Sequence, residues 1–295
     1  MNGVNPSMKQ KFVDYLLLMR LHKPIGIWLL LWPTLWGLWF AAGGMPSPKV
    51  LVIFVLGTVL MRSAGCVVND LADRNFDPHV ARTRDRPIAA GRVTPGEAVR
   101  LFVVLCLIAF GLVTQLNLTT VLLSLPAVVL AASYPYAKRF HSMPQAHLGL
   151  AFSWGIPMAF TAMGKPVPWG LCVLLMGATV AWAVAYDTFY AMVDKEDDLK
   201  AGVKSSAILF GALDRPITAA LQVAVILLLG IAGRGLGVWY AVGLGIAATL
   251  AVYQQWLIRD REPSRCFRAF QNNQYVGLSI FIGVLLEYVY ATPPS

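Results

Sequence analysis

Nine apolar runs, each long enough to cross a bilayer, dominate this 295-residue chain, since a spanning helix needs about 17 to 25 residues. They lie near 24–43, 48–69, 97–115, 118–134, 146–163, 167–187, 213–232, 235–257 and 272–291. Inside lipid a backbone must satisfy its own N–H and C=O groups, so such runs fold as helices. Composition agrees, with 57% hydrophobic residues, 13% charged residues and a mean hydropathy of +0.63, far from the balance of a water-soluble domain. The expected fold is an all-α integral membrane protein with nine transmembrane helices, forming a single domain over residues 1–295. The opening MNGVNPSMKQKFVDYLLLMR has neither the order of a signal peptide nor that of a transit peptide, so the first membrane helix is expected to lead insertion. Cys66, Cys106, Cys172 and Cys266 show no CxxC or Cys/His metal spacing and are expected to be packing residues.

The net charge of +9 is topological. Of 24 Lys and Arg residues, Lys49, Lys165 and Arg234 lie on one side and Arg62 within a span, while the other 20 lie on the side of the N-terminal segment. By the positive-inside rule the N-terminus is cytoplasmic, and no nucleic-acid partner is expected. Apart from Glu287, every Asp and Glu also falls at or beyond a cytoplasmic helix end. Chemistry is therefore expected on that face, in the loops 70–96 and 188–212. A weak internal echo joins them: Asp70 and Asp77 are seven apart, as are Asp187 and Asp194, and each loop later carries Arg-Pro, at Arg86-Pro87 and Arg215-Pro216. Two related halves facing one cavity would produce such an echo.

Two acidic sets carry the functional signal. In Asn69-Asp70-Leu71-Ala72-Asp73-Arg74-Asn75-Phe76-Asp77, a helical register of 100° per residue puts Asp77 about 20° from Asp70 and steps Asn69, Asp73 and Asp77 along one face. The second set is Asp187, Asp194, Glu196, Asp197 and Asp198. Asp187, Asp194 and Asp198 share a line within about 20°, and Asp197 points away from it. Carboxylates aligned at a membrane surface repel one another unless cations lie between them. Oxygen-only faces suit Mg2+, which takes one or two carboxylates, several waters and substrate phosphate oxygens. Two such sets are expected to grip one diphosphate through Mg2+.

Arg82 and Arg86 follow the first set, and Tyr134-Pro135-Tyr136-Ala137-Lys138-Arg139 ends the fourth span on the same side. Arg82, Arg86, Tyr134 and Lys138 are expected at the phosphate oxygens. Arg62 stands seven residues before Asn69, on the same face but roughly 10 Å deeper. An Arg at that depth marks a polar cavity with an anionic partner. Either the diphosphate or the carboxylate of an aromatic acid fits that role. His22, His79, His141 and His147 show no ligand spacing.

These residues resemble the UbiA family of membrane prenyltransferases, whose marks are an NDxxDxxxD segment after the second helix, a second Asp-rich segment after the sixth, and YxxxK between them. Here the marks read Asn69 to Asp77, Tyr186 to Asp198, and Tyr134 to Lys138. The stretches Arg20-Leu21-His22-Lys23-Pro24-Ile25-Gly26, Leu31-Trp32-Pro33-Thr34-Leu35-Trp36 and Arg62-Ser63-Ala64-Gly65-Cys66 look most like the branch acting on 4-hydroxybenzoate in ubiquinone biosynthesis. The resemblance implies helices ringed around a central cavity, a Mg2+-bound polyprenyl diphosphate under a cytoplasmic cap, and a lateral opening to lipid. It also implies a bacterial inner-membrane location, an aromatic acid and a polyprenyl diphosphate as substrates, the lipid bilayer as surroundings, and no obligate protein partner. Carried onto this chain, the metal ligands are Asn69, Asp70, Asp73, Asp77, Asp194 and Asp198. Asp73, Asp77, Asp187, Asp194 and Asp198 are the catalytic set, and Arg20 and Arg62 bind substrate. Which acids of the second set hold metal stays open, because DxxxD fits Asp194 and Asp198 while Asp187 and Asp197 stand close by. The competing class is a cation-coupled transporter, which predicts ionisable residues continuing across the bilayer. Here they stop on one side.

Overall fold

The computed structural model describes residues 8–79 and 83–290. In order the helices are α1 (Met8–Leu18), α2 (Ile25–Ala42), α3 (Pro48–Ala72), α4 (Pro95–Val113), α5 (Leu118–Phe140) and α6 (Pro144–Ser153), followed by α7 (Gly155–Ala162), α8 (Trp169–Ala201), α9 (Ser206–Phe210), α10 (Asp214–Ala232), α11 (Val238–Leu257) and α12 (Pro263–Tyr290). Sharp starts come from local chemistry. Ser47 and Asn117 accept the N–H of Val50 and Thr120 at the heads of α3 and α5, and Thr94 with Glu97 forms a reciprocal capping box on α4. Pro48 and Pro95 occupy the first helical position, where a missing N–H costs nothing.

Seven helices among the described residues are long and apolar enough to cross a membrane. The nine predicted runs fall on α2 to α5, the α6–α7 pair, α8 and α10 to α12. The fifth run is broken at Trp154 into two short helices. Pro157 has no N–H to give the Ser153 carbonyl, so the ladder is interrupted there. The ninth run belongs to a helix that begins at Pro263 rather than 272, and its first half is diluted by Gln271, Asn272, Asn273 and Gln274.

Two loop expectations are corrected. The segment 188–212 is not a loop for most of its length: α8 continues to Ala201, because the sequence after Asp187 loses hydropathy but keeps good helix formers and meets no Gly or Pro until Gly202. Conversely, α3 stops at Ala72, so Asp73 to Asp77 do not continue one regular helix. Asp73 takes the C-cap position, turns follow, and a 3-10 turn covers Asp77–His79.

From α2 onward, with α6–α7 taken as one and the short α9 passed over, each helix packs on the next along the chain, and α12 returns to α2, which closes a ring. Helices approach most closely where side chains vanish. On α11 a Cβ at Gly243 would stand 2.7 Å from the Ser279 carbonyl oxygen and 3.0 Å from the Gly283 Cα on α12, a small-residue seam of the kind that packs helices in lipid. Bulk lies inside the ring, where Trp36 meets Trp182 with ring centroids 5.4 Å apart and Trp39 meets Phe281 edge-on at 5.0 Å. Glu287, the acid at the far end of the bundle, accepts the N–H groups of Trp239 and Tyr240 at 3.1 and 3.3 Å. It therefore caps the positive end of α11 from a neighbouring helix.

Candidate active site

The ring encloses a cavity of about 760 Å³. Its mouth is lined by Asn69, Asp73 and Asp77 from the end of α3 and by Asp187, Asp194 and Asp198 from α8, and Arg20, Arg86 and Tyr134 share that wall. Arg62 lies deeper, and below it the lining turns apolar, with Phe54, Met61, Phe110 and Met158. Along α3 the fifteen residues from Asn69 to Phe54 correspond to about 22 Å at 1.5 Å per residue. Acidic mouth, one half-buried arginine and a largely apolar shaft follow in that order.

The turns after Ala72 still hold the first set in register, since Asp73 donates its N–H to Asn69 O at 3.0 Å and Asp77 to Asp73 O at 2.9 Å. Asn69, Asp73 and Asp77 all line the cavity, whereas Asp70 does not. Asp70 is buried behind them. Its Oδ1 accepts from Arg20 Nη2 at 2.6 Å and from Arg86 Nη1 at 3.2 Å, and that same Nη1 reaches Asp77 Oδ2 at 2.9 Å. The seven-residue spacing of Asp70 and Asp77 thus brings both carboxylates to one guanidinium. Burial pushes the Asp77 carboxyl above its ordinary value; Arg86 opposes this, and Asp70 and Asp73 add to it. A cation at the mouth would relieve that strain.

Arg86 is held by a second, smaller core. Leu18 of α1 packs with Ala64, Val67, Ile88, Val93, Ala98 and Leu105, trapping the segment after Arg86 between α1, α3 and α4. Polar contacts lock the same joint. Asp14, 1% exposed, accepts from Arg92 Nε at 2.8 Å, and Lys11 Nζ reaches Glu97 at 2.8 Å and the Arg92 carbonyl at 3.0 Å. Arg20 follows α1 directly, in a left-handed conformation with φ 56°.

On α8 the register brings Asp187, Asp194 and Asp198 to the cavity; Asp197, expected to point away from them, lines it too, with a largely exposed side chain. Arg62 gives Nη1 to Cys66 Sγ at 2.9 Å, while its buried Nε has no partner among the described residues. The guanidinium lies against the backbone of α2 at Gly26, where a Cβ would stand 2.3 Å from it. Arg82 lies outside the described residues, as does the side chain of Lys138, whose backbone is in α5. The Arg-Pro echo has no structural counterpart, because Arg86 pairs with acids whereas Arg215 Nη1 meets the Arg259 carbonyl at 3.3 Å.

Two cavity residues lie outside the expected site set. Arg139, at the end of α5, donates to the Ala72 carbonyl, and its guanidinium lies 5.6 Å from the Phe76 ring centroid and 5.3 Å from that of Tyr136, clasping the first acidic turn by its last helical carbonyl. Gln145, 4% exposed, accepts the Ser206 N–H at 3.3 Å. An Arg in a basic helix end and a lone amide at the head of an apolar run look ordinary in sequence; only packing distinguishes them.

Carboxylate and amide oxygens facing one space are the donor chemistry Mg2+ takes, and among the described residues no group of three or more Asp, Glu, His or Cys stands close enough to hold a metal ion by itself. Mg2+ favours such an open arrangement, completing its shell with water and phosphate oxygens.

Comparison with known proteins places these features in a family. The model of the UbiA prenyltransferase family matches residues 30–284. The 4-hydroxybenzoate octaprenyltransferase of Methylococcus capsulatus is 56% identical over 291 residues, covering 98% of this chain and 99% of the relative. That of Nitrosococcus oceani is 57% identical over 286 residues, covering 96% and 100%. Among solved structures, the apo structure of a UbiA homolog from Aeropyrum pernix K1 superposes with a TM-score of 0.78 at 25% identity, covering 88% of this chain and 97% of that one. A UbiA homolog from Archaeoglobus fulgidus bound to GPP and Mg2+ superposes with a TM-score of 0.69 at 20% identity, covering 92% and 99%; at that identity the likeness concerns the fold.

Proposed function

Because this chain belongs to the UbiA prenyltransferase family, we propose that it transfers a polyprenyl group from a polyprenyl diphosphate to the ring carbon ortho to the hydroxyl of 4-hydroxybenzoate, releasing diphosphate, in ubiquinone biosynthesis. The observation that carries this reading is the order of groups along one cavity: two acidic sets at the mouth, Arg62 below them, then an apolar shaft. A diphosphate, a small aromatic acid and an isoprenoid tail need those surroundings in that sequence. The relatives' names support an eight-unit donor and 4-hydroxybenzoate as acceptor.

Asn69, Asp73 and Asp77 on one side and Asp194 and Asp198 on the other would hold Mg2+, with Asp187 beside them. Bound there, Mg2+ supplies positive charge that stabilises the departing diphosphate. Arg86, which shares Asp70 with Arg20, orients Asp77, and both arginines add positive charge near the phosphate oxygens. Tyr134 stands on the same wall; Lys138 and Arg82 are assigned there by motif. Arg62 binds an anion below the mouth, and its unpaired buried Nε is the donor for it. The acceptor carboxylate or the diphosphate fills that role. Ionisation leaves an allylic cation, the ring attacks through the carbon ortho to its hydroxyl, and a proton leaves to restore aromaticity. A carboxylate of the second set, Asp187 or Asp194, polarises the phenol. The apolar shaft keeps water from the cation.

The same reading takes nine crossings, counting α6–α7 and α12, with the N-terminus and the acidic mouth cytoplasmic, in the inner membrane of a bacterium. The 20 of 24 cations on one side support that orientation. The test is to incubate the purified protein and Mg2+ with one prenyl diphosphate and a panel of aromatic acceptors, and to identify products by mass. Prenylated 4-hydroxybenzoate is expected. A product only with dihydroxynaphthoate, homogentisate or haem would reassign the acceptor.

A further inference from the structure

Most of the arginine donors at the cavity mouth are already engaged. Diphosphate oxygens accept hydrogen bonds, carboxylates cannot donate them, and among the described residues there Arg20 and Arg86 are held by Asp70 and Asp77 and Arg139 by the Ala72 carbonyl. The segment that ends α8 supplies further donors. Gly202 turns left-handed at φ 65°, and Val203 returns its N–H to Asp198 O at 3.0 Å. That reversal carries Gly202 to Ser205 along the mouth, where they line the same cavity as Asp194 and Asp198.

Two polar groups stand on this segment in different states. Lys204 is exposed, and among the described residues its Nζ reaches only the Phe140 carbonyl at the end of α5, at 3.3 Å. The ammonium therefore extends from the α8 side of the mouth to the α5 side on one weak, neutral contact. Ser205 is 5% exposed, and its Oγ has no partner among the described residues. Its neighbour Ser206, also buried, pairs through its hydroxyl with that of Thr188 at 2.6 Å, so the local packing does satisfy a hydroxyl where one is structural. A buried hydroxyl left without an acceptor costs free energy unless something else fills the role. A smaller cavity of about 310 Å³ is also lined by Lys204, Ser205 and Leu209, so open space adjoins the segment outside the main cavity too.

We propose that Lys204 and Ser205 form a third wall of the diphosphate site, giving an ammonium and a hydroxyl directly to phosphate oxygens that the carboxylate-held ions do not cover. The proposal rests on the diphosphate reading of the mouth. Ser205 contributes a short, fixed donor, and Lys204 leaves the Phe140 carbonyl for a charged acceptor, which makes the stronger hydrogen bond.

Inorganic pyrophosphate with Mg2+ is the probe, because it carries the charged group without the tail. Calorimetric titration of the full-length protein in detergent comes first. No pyrophosphate binding by the wild type would remove the diphosphate reading and this proposal with it. Given wild-type binding, Ser205→Ala and Lys204→Met should each weaken pyrophosphate affinity by about ten-fold, the scale of one lost hydrogen bond to a charged group. The KM for the prenyl diphosphate should rise alike, with the acceptor KM and the ligand-free Tm unchanged. Ser205→Thr and Lys204→Arg should restore most of the affinity. If Ser205→Ala lowers the Tm, Ser205→Cys keeps the volume with a weak donor and should show the same loss of affinity. Pyrophosphate affinity within about two-fold of wild type in Lys204→Met and in both the Ala and Cys variants of Ser205 would overturn the third wall while leaving the carboxylate sites standing.

Discussion

Replacing Gly26 with alanine perturbs the deepest charge of the cavity without altering the charged residue. The added Cβ would stand 2.3 Å from both Nε and Nη2 of Arg62, and ordinary contact begins at 3.4 Å, so the guanidinium must retreat by about 1 Å. The clash falls on the end of a flexible side chain. The backbone of α2 can stay in place, and the stability cost should fall below the roughly 1 to 3 kcal/mol of an overpacked rigid core. Function should suffer more. A charge-assisted hydrogen bond contributes about 1.5 to 3 kcal/mol, so Arg62→Ala should raise the KM of the substrate it serves by roughly ten- to a hundred-fold. Misplacement by about 1 Å forfeits much of such a contact, which puts Gly26→Ala near ten-fold. The double variant Gly26→Ala/Arg62→Ala should match Arg62→Ala alone, because nothing remains for the new methyl to displace. The assay is steady-state kinetics with donor and acceptor varied separately, alongside thermal unfolding. A rise confined to the acceptor KM in both single variants assigns Arg62 to the aromatic carboxylate, and a rise confined to the donor KM assigns it to the diphosphate. Wild-type KM values for both substrates in Gly26→Ala, or additive losses in the double variant, would refute the reasoning.

Asp73→Asn and Asp194→Asn should each remove nearly all turnover, and EDTA should do the same to the wild type, with added Mg2+ restoring only the chelated wild type; near-normal turnover in either variant would assign that carboxylate to solvation or capping. Asp70→Ala should destabilise the protein by about 2 to 3 kcal/mol, at or below the low end for removing one partner of a buried pair because solvent reaches both arginines, and should raise the donor KM while Mg2+ still supports turnover. An unchanged Tm would show that Arg20 and Arg86 need no carboxylate there. In a cysteine-free background, Phe140→Cys, Lys200→Cys and Glu262→Cys should react with an impermeant thiol reagent only from the cytoplasmic side, and labelling of intact cells at any of them would reverse the orientation.

Membrane helices are unusually legible because lipid leaves the backbone one local solution. The apolar runs therefore marked the helices to within a few residues wherever hydropathy and helicity coincide, as in α2 and α10. They diverge where a helix leaves the apolar zone. From Asp187 onward the chain turns polar but has no reason to stop being helical, so α8 runs on to Gly202, and the second acidic set stands on a helix rather than in a loop. The opposite error occurs at Ala72, where α3 ends although the register of Asn69, Asp73 and Asp77 persists through turns.

The sequence by itself determined the helical membrane fold, the gathering of acids toward one face, and the residue types and spacings of the two acidic sets, because each follows from hydropathy or from the local geometry of a helix. Partnership was decided only by tertiary structure. Asp70 and Asp73 are three residues apart and chemically identical, yet one is buried against Arg20 and Arg86 while the other lines the cavity. That choice depends on α1 and the segment 83–94 folding back onto the end of α3, contacts between residues tens of positions apart. Arg139, Gln145 and the unpaired hydroxyl of Ser205 are of the same kind. What a polar side chain does in such a fold depends on which helices the ring sets beside it, and no local pattern carries that information.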